Sequence, residues 1–200
     1  MADAFPRNRL PNNDDPSSSD DRCRRRWAVL KPFMAAGAVG AELGVFKGNF
    51  VDYLLATRPN KLYLVDPWLL IASKWNWVAG DKSPSVALSA ILAAFKAEVD
   101  AGLVEPRIQF SWEFLSGMPD DSLDWIYIDS NHSYNSTRRE ITLALRKVRR
   151  RGHIFGDDYH ADPTHKFHGV HKAVGEFVAA GQLKILVDGT ERQFVAQRTG

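Results

Sequence analysis

The feature that most constrains the fold is an alternation of short apolar runs with longer amphipathic stretches, which starts near residue 38. Runs rich in Val, Ile, Leu and aromatic residues predict strands, and the stretches of helical periodicity between them predict helices. Such alternation is typical of a layered α/β domain around a mostly parallel sheet. Asp188-Gly189 directly follows the sixth run and is interpreted as a tight turn, which predicts that the sheet ends in an antiparallel hairpin.

This alternation assigns most of the chain to regular elements. We expect seven strands, at residues 38–43, 61–66, 107–111, 124–129, 153–157, 183–187 and 193–197. We expect helices at residues 22–36, 49–56, 85–101, 136–150 and 169–180. Gly152 follows three consecutive arginines and is expected to end the fourth of these helices.

Length and composition favour a single domain. Residues 1–21 are rich in Pro, Asn, Asp and Ser and predict a disordered leader, so the domain is expected to span residues 22–200. The net charge of +2 disfavours nucleic acid as a partner, and the arginines at 24–26 are interpreted as the solvated start of a helix. The single cysteine, Cys23, and the absence of a long apolar run in the sequence predict a cytoplasmic protein that does not enter a membrane.

The turn after the first predicted strand carries Glu42, Gly44 and Gly48. Glycine lets the backbone bend sharply and approach a ligand, and the helix that follows offers free N–H groups. The next predicted strand ends in Asp66, whose carboxylate can accept hydrogen bonds from both hydroxyls of a ribose. A dinucleotide site would have a further glycine, and the acid at 42 suits a cationic ligand better than a pyrophosphate. A tight turn without a ligand is the alternative.

Residues 41–50 resemble motif I, E/D-x-G-x-x-x-G, of the class I S-adenosylmethionine (SAM)-dependent methyltransferases. The resemblance extends over residues 22–198 in the order of strands and helices. It implies a Rossmann-like fold with a seven-stranded, mostly parallel sheet and a terminal antiparallel hairpin. It also implies SAM as the cofactor, with binding residues Glu42, Gly44, Gly48 and Asp66.

The same resemblance assigns two residues to the adenosine part of SAM. Ser111 aligns with a family position that contacts adenosine, although the family often has an acid just before it and this chain has Phe110. Trp112 is a candidate for stacking on the adenine ring. A buried Trp112 with a purely structural role is the alternative.

Three acidic residues follow the fourth and fifth predicted strands. Asp129 ends the fourth, and Asp157 and Asp158 end the fifth. Because adjacent parallel strands lie about 4.8 Å apart, we expect these carboxylates to gather at one edge of the sheet. Their mutual repulsion requires a cation, and all-oxygen ligands indicate Mg²⁺ first, with Mn²⁺ or Ca²⁺ as alternatives.

These segments resemble a subfamily of small-molecule O-methyltransferases, including metal-dependent sugar O-methyltransferases of antibiotic biosynthesis. The shared patterns are I-D-x-x-H-x-Y and D-D-Y. The resemblance implies metal ligation by Asp129, Asp157 and Asp158, with His132 as the general base. A metal lowers the pKa of an acceptor hydroxyl, and a nearby imidazole takes the proton. The alternatives are a capping role for Asp158 and a loop hydrogen bond for His132.

Two other features leave alternatives open. Four histidines within twelve residues are either solvated or substrate-facing, or form a zinc-like site: His160, His165, His168 and His171. The tryptophan-rich stretch at 68–85 is either a lid over a ligand or ordinary packing.

Together these features predict methyl transfer from SAM to a hydroxyl of a small molecule, a sugar or a glycosylated metabolite, with help from a divalent metal. A homo-oligomer is compatible with the sequence. A DNA N-methyltransferase is disfavoured because the motif D/N-P-P-Y/F is absent after the fourth strand. A nicotinamide-dependent dehydrogenase and a SAM-binding protein without turnover are the alternatives, and titration with SAM and with NAD would separate the dehydrogenase from the other two.

Overall fold

The computed structural model describes residues 5–11, 19–70 and 84–200. In these ranges the chain forms a seven-stranded sheet with the order β3-β2-β1-β4-β5-β7-β6. The strands are β1 (Val39–Leu43), β2 (Lys61–Asp66), β3 (Val104–Ile108), β4 (Leu123–Ile128), β5 (Val148–Gly156), β6 (Leu183–Asp188) and β7 (Phe194–Arg198). The helices are α1 (Asp20–Leu30), α2 (Val51–Leu55), α3 (Pro84–Ala94), α4 (Lys96–Asp100), α5 (Ser111–Gly117), α6 (Tyr134–Lys147) and α7 (His168–Ala179).

The directions of the strands confirm the predicted fold class. β1, β2, β3, β4 and β5 pair in parallel, whereas β7 pairs antiparallel with both β5 and β6. The buried apolar residues form two clusters, as expected for a sheet covered on both faces. Parallel strands end at the same edge of a sheet, so the turns after β1, β2, β4 and β5 come together there.

The third strand and the segment after it differ from the prediction. β3 covers Val104–Ile108, because each of its residues pairs with a residue of β2 from Leu62 to Asp66. Ser111 therefore does not end a strand but begins α5, a helix that the sequence analysis did not predict. The side chain of Glu113 accepts a hydrogen bond from the backbone N–H of Phe110 at 3.1 Å and stabilises this helix start.

Gly152 was wrongly predicted to end a helix. α6 ends at Lys147 and the chain enters β5 directly, so Gly152 lies inside that strand. The pairing of β4 with β5 shifts at this position, as in a β-bulge, and Arg151 has a φ of +63°. A Cβ at 152 would lie 2.6 Å from the carbonyl oxygen of Asp124, so glycine allows β4 and β5 to approach each other.

Part of the expected leader contacts the domain. Asn8 donates a hydrogen bond to the carbonyl oxygen of Asn49 at 3.0 Å, and Arg9 forms an ion pair of 2.8 Å with Asp52. For residues 5–11 the structure therefore differs from the expected disorder, while residues 1–4 and 12–18 lie outside the described residues. α1 begins at Asp20 because the Ser19 side chain caps it by accepting from the N–H of Arg22 at 3.3 Å.

The terminal hairpin is antiparallel as predicted, but its turn is longer than Asp188-Gly189. Residues 189–193 join β6 to β7, and Gly189 starts this turn with a φ of +86°. Because Gly156 pairs with Phe194, the turn lies beside the end of β5, at the carboxyl edge of the sheet. Within the described ranges, no helix combines the length and the apolar character that crossing a membrane requires.

Candidate functional site

The glycine loop between β1 and α2 has the sharp turn predicted from the sequence. Gly44 and Gly48 have φ values of +91° and +78°, a region that favours glycine. The N–H of Gly44 donates to the carbonyl oxygen of Val65 at 2.9 Å, which holds the loop against the end of β2. The loop therefore lies at the carboxyl edge, between the ends of β2 and β4.

Gly44 approaches the chain's own backbone. A Cβ on this residue would lie 2.1 Å from the carbonyl oxygen of Asp129. A side chain at position 44 would thus disturb the fold, and a substitution there cannot separate folding from cofactor binding. The same closeness brings the predicted cofactor loop into contact with the end of β4, where the acidic cluster begins.

Asp66 holds the glycine loop in place. One carboxylate oxygen accepts hydrogen bonds from the N–H groups of Val45 and Phe46, both at 3.0 Å, and the other accepts from Trp68 N–H at 2.8 Å. A carboxylate has about four acceptor positions, so the predicted bonds to ribose hydroxyls compete with or add to these three. Binding of a ribose by Asp66 stays a prediction.

Glu42 is a buried carboxyl group of the kind that a cationic ligand would suit. Its residue is 2% exposed, and its Oε2 atom is buried without a hydrogen-bond partner among the described residues. Burial raises the pKa of this carboxyl well above its usual range, and the charge of Asp129 adds to the effect, with Arg26 opposing it. A buried carboxylate without a partner is costly, so a positively charged group bound beside it would relieve that cost.

Ser111 and Trp112 lie together at the start of α5. The Ser111 hydroxyl hydrogen-bonds to Glu140, which also accepts from Ser130 at 2.6 Å, so this segment is tied to α6 and to the turn after β4. The Trp112 ring has the Arg139 guanidinium 4.1 Å from its centroid. Contact of either residue with adenosine stays a prediction.

The three predicted metal-binding aspartates do gather at the carboxyl edge, but two arginines of α1 neutralise them. Arg22 contacts both carboxylate oxygens of Asp157 at 2.9 Å and lies 3.6 Å from Asp158. Arg26 donates to Asp129 at 3.0 Å and also to Asp157. Both guanidinium groups and Asp157 are buried, and Asp129 and Asp158 are largely so, which makes these ion pairs stronger than pairs on the surface.

The sequence analysis missed these arginines as site residues. It interpreted the arginines at 24–26 as solvated, and this holds for Arg24 and Arg25, which are exposed, but not for Arg26. The helical spacing of Arg22 and Arg26 could have revealed that they face the domain. Arg22 and Arg26 are four residues apart and flank the apolar stripe Cys23, Trp27 and Leu30, so they face the domain together.

A glutamine from the terminal hairpin completes the cluster. Gln193 is fully buried and donates to Asp157, while its side-chain oxygen accepts from the Tyr127 hydroxyl at 3.0 Å. Asp157 therefore has a donor on each oxygen, from α1 and from the turn before β7. Nothing in the spacing of the sequence indicated that Gln193 takes part.

His132 lies between two of the aspartates. Its Nε2 is 3.1 Å from Asp129 Oδ1, and its Nδ1 is 3.4 Å from Asp158 Oδ2. Burial opposes ionisation of Asp129, but Arg26 and the bond to His132 lower the pKa of its carboxyl to about 2. Since an ionised carboxylate only accepts hydrogen bonds, the contact with Asp129 needs a proton on Nε2, and Nδ1, which faces Asp158, is the nitrogen that takes up a second proton.

The arrangement does not fit a hard divalent cation. Asp129, His132 and Asp157 each offer a ligand atom within 4.8 Å of the others, so their spacing alone is suitable. However, Asp157 already accepts bonds on both oxygens, and a divalent ion would lie beside two buried guanidinium groups. The arginines supply the positive charge for which the sequence analysis invoked a metal. Metal ligation by Asp129, Asp157 and Asp158 thus stays a prediction from the resemblance. The charge of the aspartates no longer argues for a metal, because the two arginines neutralise it.

The four neighbouring histidines do not form a comparable metal group in the part of the chain that the structure describes. The rings of His160 and His165 stack with centroids 3.5 Å apart, and His168 Nδ1 lies 3.0 Å from the carbonyl oxygen of His160. In the tryptophan-rich stretch, Trp68 is buried and donates to the carbonyl oxygen of Phe46 at 2.9 Å, as in ordinary packing. Residues 71–83 lie outside the described residues.

Comparison with known proteins agrees with this geometry. A family model described as a methyltransferase domain matches residues 41–159, from the glycine loop to the end of the acidic cluster. The chain belongs to this methyltransferase family. No curated protein matches the sequence. Membership of the family implies SAM as the methyl donor. It argues against the alternative function of a nicotinamide-dependent dehydrogenase.

Solved methyltransferases share the fold over most of their length. The O-methyltransferase TomG from Streptomyces achromogenes, involved in tomaymycin synthesis and solved in complex with SAM, is 17% identical with a TM-score of 0.60, over 94% of this chain and 84% of its own. The N-methyltransferase NodS from Bradyrhizobium japonicum WM9 is 14% identical with a TM-score of 0.58, over 94% of this chain and 100% of its own. Such low identities establish the fold alone, so the acceptor atom has to be argued from the site.

Replacing Glu42 by glutamine is expected to weaken SAM binding while leaving the fold intact or more stable. Glutamine keeps the size of the side chain but removes the charge, and a lost charge-assisted hydrogen bond corresponds to about a tenfold or greater rise in Kd. The protein without SAM should unfold at the same or a higher temperature, because the raised pKa of Glu42 shows that its ionised form destabilises the fold.

Calorimetric titration with SAM and thermal unfolding of the same samples measure both effects. Glu105→Gln, on the edge strand β3 and paired with Lys61, is the control and should leave SAM affinity unchanged. SAM binding by Glu42→Gln at wild-type affinity would show that this carboxylate does not face the cofactor.

Proposed function

We propose that this methyltransferase transfers the methyl group of SAM to a hydroxyl of a small molecule, with His132 as the general base. The observation that carries the proposal is the pair formed by His132 and Asp129, 3.1 Å apart, directly beside the glycine loop. Asp129 orients the imidazole through Nε2 and leaves Nδ1 to accept a proton. Because the backbone of Asp129 contacts the glycine loop, a proton acceptor on Asp129 would lie at the same edge of the sheet as the loop that is expected to hold the methyl donor.

A positioned base favours oxygen over nitrogen as the methyl acceptor. A neutral amine already has a free lone pair, whereas a hydroxyl oxygen attacks the sulfonium methyl efficiently only as its proton leaves. In the reaction, the acceptor oxygen bonds to the methyl carbon, the bond from carbon to sulfur breaks, and the hydroxyl proton passes to His132 Nδ1. The products are a methyl ether, S-adenosylhomocysteine and an imidazolium that the flanking carboxylates stabilise.

The acceptor belongs to the class of small hydroxylated molecules, with a sugar or a glycosylated metabolite as the first choice. Polar groups dominate the carboxyl edge beside His132, and they suit an acceptor with several hydroxyls. Nucleic acid is disfavoured by the net charge of only +2. A radiolabelled SAM assay with a panel of sugars and glycosides, and their amino-sugar counterparts, tests the acceptor class.

The outcome of that assay separates three functions. Label transfer to hydroxylated acceptors by the wild type, and its loss in His132→Ala, is the expected result. Transfer only to the amino groups would replace the proposal by N-methylation. SAM binding without transfer to any member of the panel, by a chain that calorimetry shows to be folded, would favour a binding protein without turnover.

Methyl transfer is expected to continue in excess EDTA. Arg22 and Arg26 already neutralise the aspartates, so the proposed reaction needs no divalent metal at this site. Initial rates should agree within about twofold with and without the chelator, a free-energy difference below about 0.5 kcal/mol. Loss of activity in EDTA and its return with Mg²⁺ would instead restore the metal-assisted reaction predicted from the sequence.

A further inference from the structure

A cavity of about 580 Å³ adjoins the acidic cluster at the carboxyl edge. It lies between the segment after β5 and the turn from β6 to β7. Its lining is almost entirely polar or aromatic: Tyr159, His160, Ala161, His165, His171, Asp188, Gly189 and Arg192. The volume falls in the range of about 300–1,000 Å³ that is usual for small-molecule sites. We call this space the histidine cavity.

The histidine cavity is connected to the proposed base through Asp158. One carboxylate oxygen of Asp158 lies 3.4 Å from His132 Nδ1, and the other lies 3.6 Å from His160 Nε2, in the cavity wall. Nδ1 is the nitrogen that accepts the proton. A molecule in the cavity can therefore place a hydroxyl near the base without crossing the core.

Arg192 is the charged group that this cavity leaves available. It makes no ion pair and no side-chain hydrogen bond with the residues in the described ranges, and its side chain is exposed. Neither neighbouring acid pairs with Arg192: Glu191 pairs with Arg25 at 2.9 Å, and Asp188, itself in the cavity wall, accepts from the Tyr159 hydroxyl. The side-chain N–H groups of the wall histidines add further donors. The cavity therefore offers a guanidinium group that pairs with no carboxylate, together with several donors, a combination that suits an anion.

The backbone around the histidine cavity is held in a costly conformation. Asp158, Glu191 and Arg192 have φ values of +52°, +51° and +61°, although none of them is glycine. The N–H of Tyr159 donates to the carbonyl oxygen of Arg192 at 2.9 Å and joins the two strained segments. Strained non-glycine residues that the surroundings hold in place cluster at ligand sites.

We propose that the histidine cavity binds an anionic group of the acceptor, a carboxylate or a phosphate, through Arg192, while a hydroxyl of the same molecule reaches His132. This inference rests on the proposed function for the identity of the molecule as the acceptor. The substrate class is then a hydroxylated acid or a phosphorylated sugar. Neutral glycosides would bind less tightly, because nothing in them would pair with the guanidinium.

An NMR titration tests anion binding without any methyl transfer. The full chain is titrated with inorganic phosphate, with glycolate and with neutral ethylene glycol while the imidazole resonances are recorded. Phosphate, glycolate or both should shift the resonances of His160, His165 and His171 in a saturable manner, and ethylene glycol should not. A response to phosphate alone indicates a phosphorylated acceptor, and a response to glycolate alone indicates a carboxylate.

Substitution of the arginine assigns the effect to the cavity. Arg192→Gln should weaken anion binding by about tenfold or more, as expected for the loss of a charge-assisted bond. The matched control is Arg58→Gln, another exposed arginine with a positive φ, +56°, which lies outside the cavity wall. Absence of saturable shifts with both anions, or an Arg192→Gln variant that binds them as the wild type does, would overturn the proposal. Because the titration involves no turnover, failure of O-methylation leaves its result unaffected.

Discussion

Replacing Arg26 by methionine is expected to lower the free energy of unfolding by about 3–5 kcal/mol. Methionine keeps much of the apolar stem but removes the charge that pairs with Asp129 and Asp157. The carboxylates would then remain buried with one cation, Arg22, in place of two, and an uncompensated buried charge is far more costly than a lost surface contact. Chemical denaturation monitored by tryptophan fluorescence measures the difference.

Arg24→Met is the matched control on the same helix. Arg24 is exposed and pairs with Asp20 at 2.8 Å on the solvent side, so its loss should change stability little. Arg26→Lys should fall between the two, because lysine keeps the charge but lacks the planar fork of guanidinium. Equal stability of Arg26→Met and Arg24→Met would contradict the role we assign to this arginine.

Replacing His132 by alanine is expected to lower kcat by about 10²–10⁴-fold, the usual effect of removing a positioned base. The affinity for SAM should change little, because Asp129 contacts the glycine loop and His132 lies on the other side of Asp129. Single-turnover methyl transfer and calorimetric titration with SAM measure the two quantities on the same variant. A fall in kcat of less than about threefold, far below that range, would show that another group takes the proton.

The pH profile of the wild type provides a second readout for His132. Burial alone would lower the pKa of the imidazole, but the bond to Asp129 and the charges of Asp129 and Asp158 raise it above 6.5. The base is active when neutral, so kcat should rise with pH and level off only above that value, and His132→Ala should lack this rise.

The raised pKa of His132 also means that the charged imidazole stabilises the fold. That contribution is complete below the unfolded pKa of about 6.5 and is lost as the pH rises through the folded pKa.

The sheet was predictable because its strands are buried on both faces. Continuous apolar runs marked five of the strands to within one residue, including Lys61–Asp66, which is identical in prediction and structure, whereas β5 begins at Val148, five residues before its predicted start. The prediction for β3 was displaced because its sequence, Val-Glu-Pro-Arg-Ile, is partly polar and forms an edge strand of the sheet. Register there comes from pairing with β2, which local composition does not encode.

The site was predictable only where its residues follow strand ends. Glu42, Asp66, Asp129 and Asp157 come together because parallel strands end at one edge, a relation that the sequence order reveals. Arg22 and Arg26 reach the same edge from a helix that precedes the sheet, and Gln193 reaches it from the hairpin. Such contacts depend on how separate elements pack. The sequence analysis therefore predicted the acidic residues of the site but not the two arginines that pair with them.

The measurement that tests the central claim most directly is the chemical shift of the transferred methyl carbon. The enzyme is incubated with SAM labelled with ¹³C in its methyl group and with the best acceptor from the panel, and the product is observed by ¹³C NMR. The account predicts a single new resonance in the methoxyl region, which requires His132 for its formation. A resonance in the N-methyl region, or a methoxyl signal that forms equally fast in His132→Ala, would contradict the account.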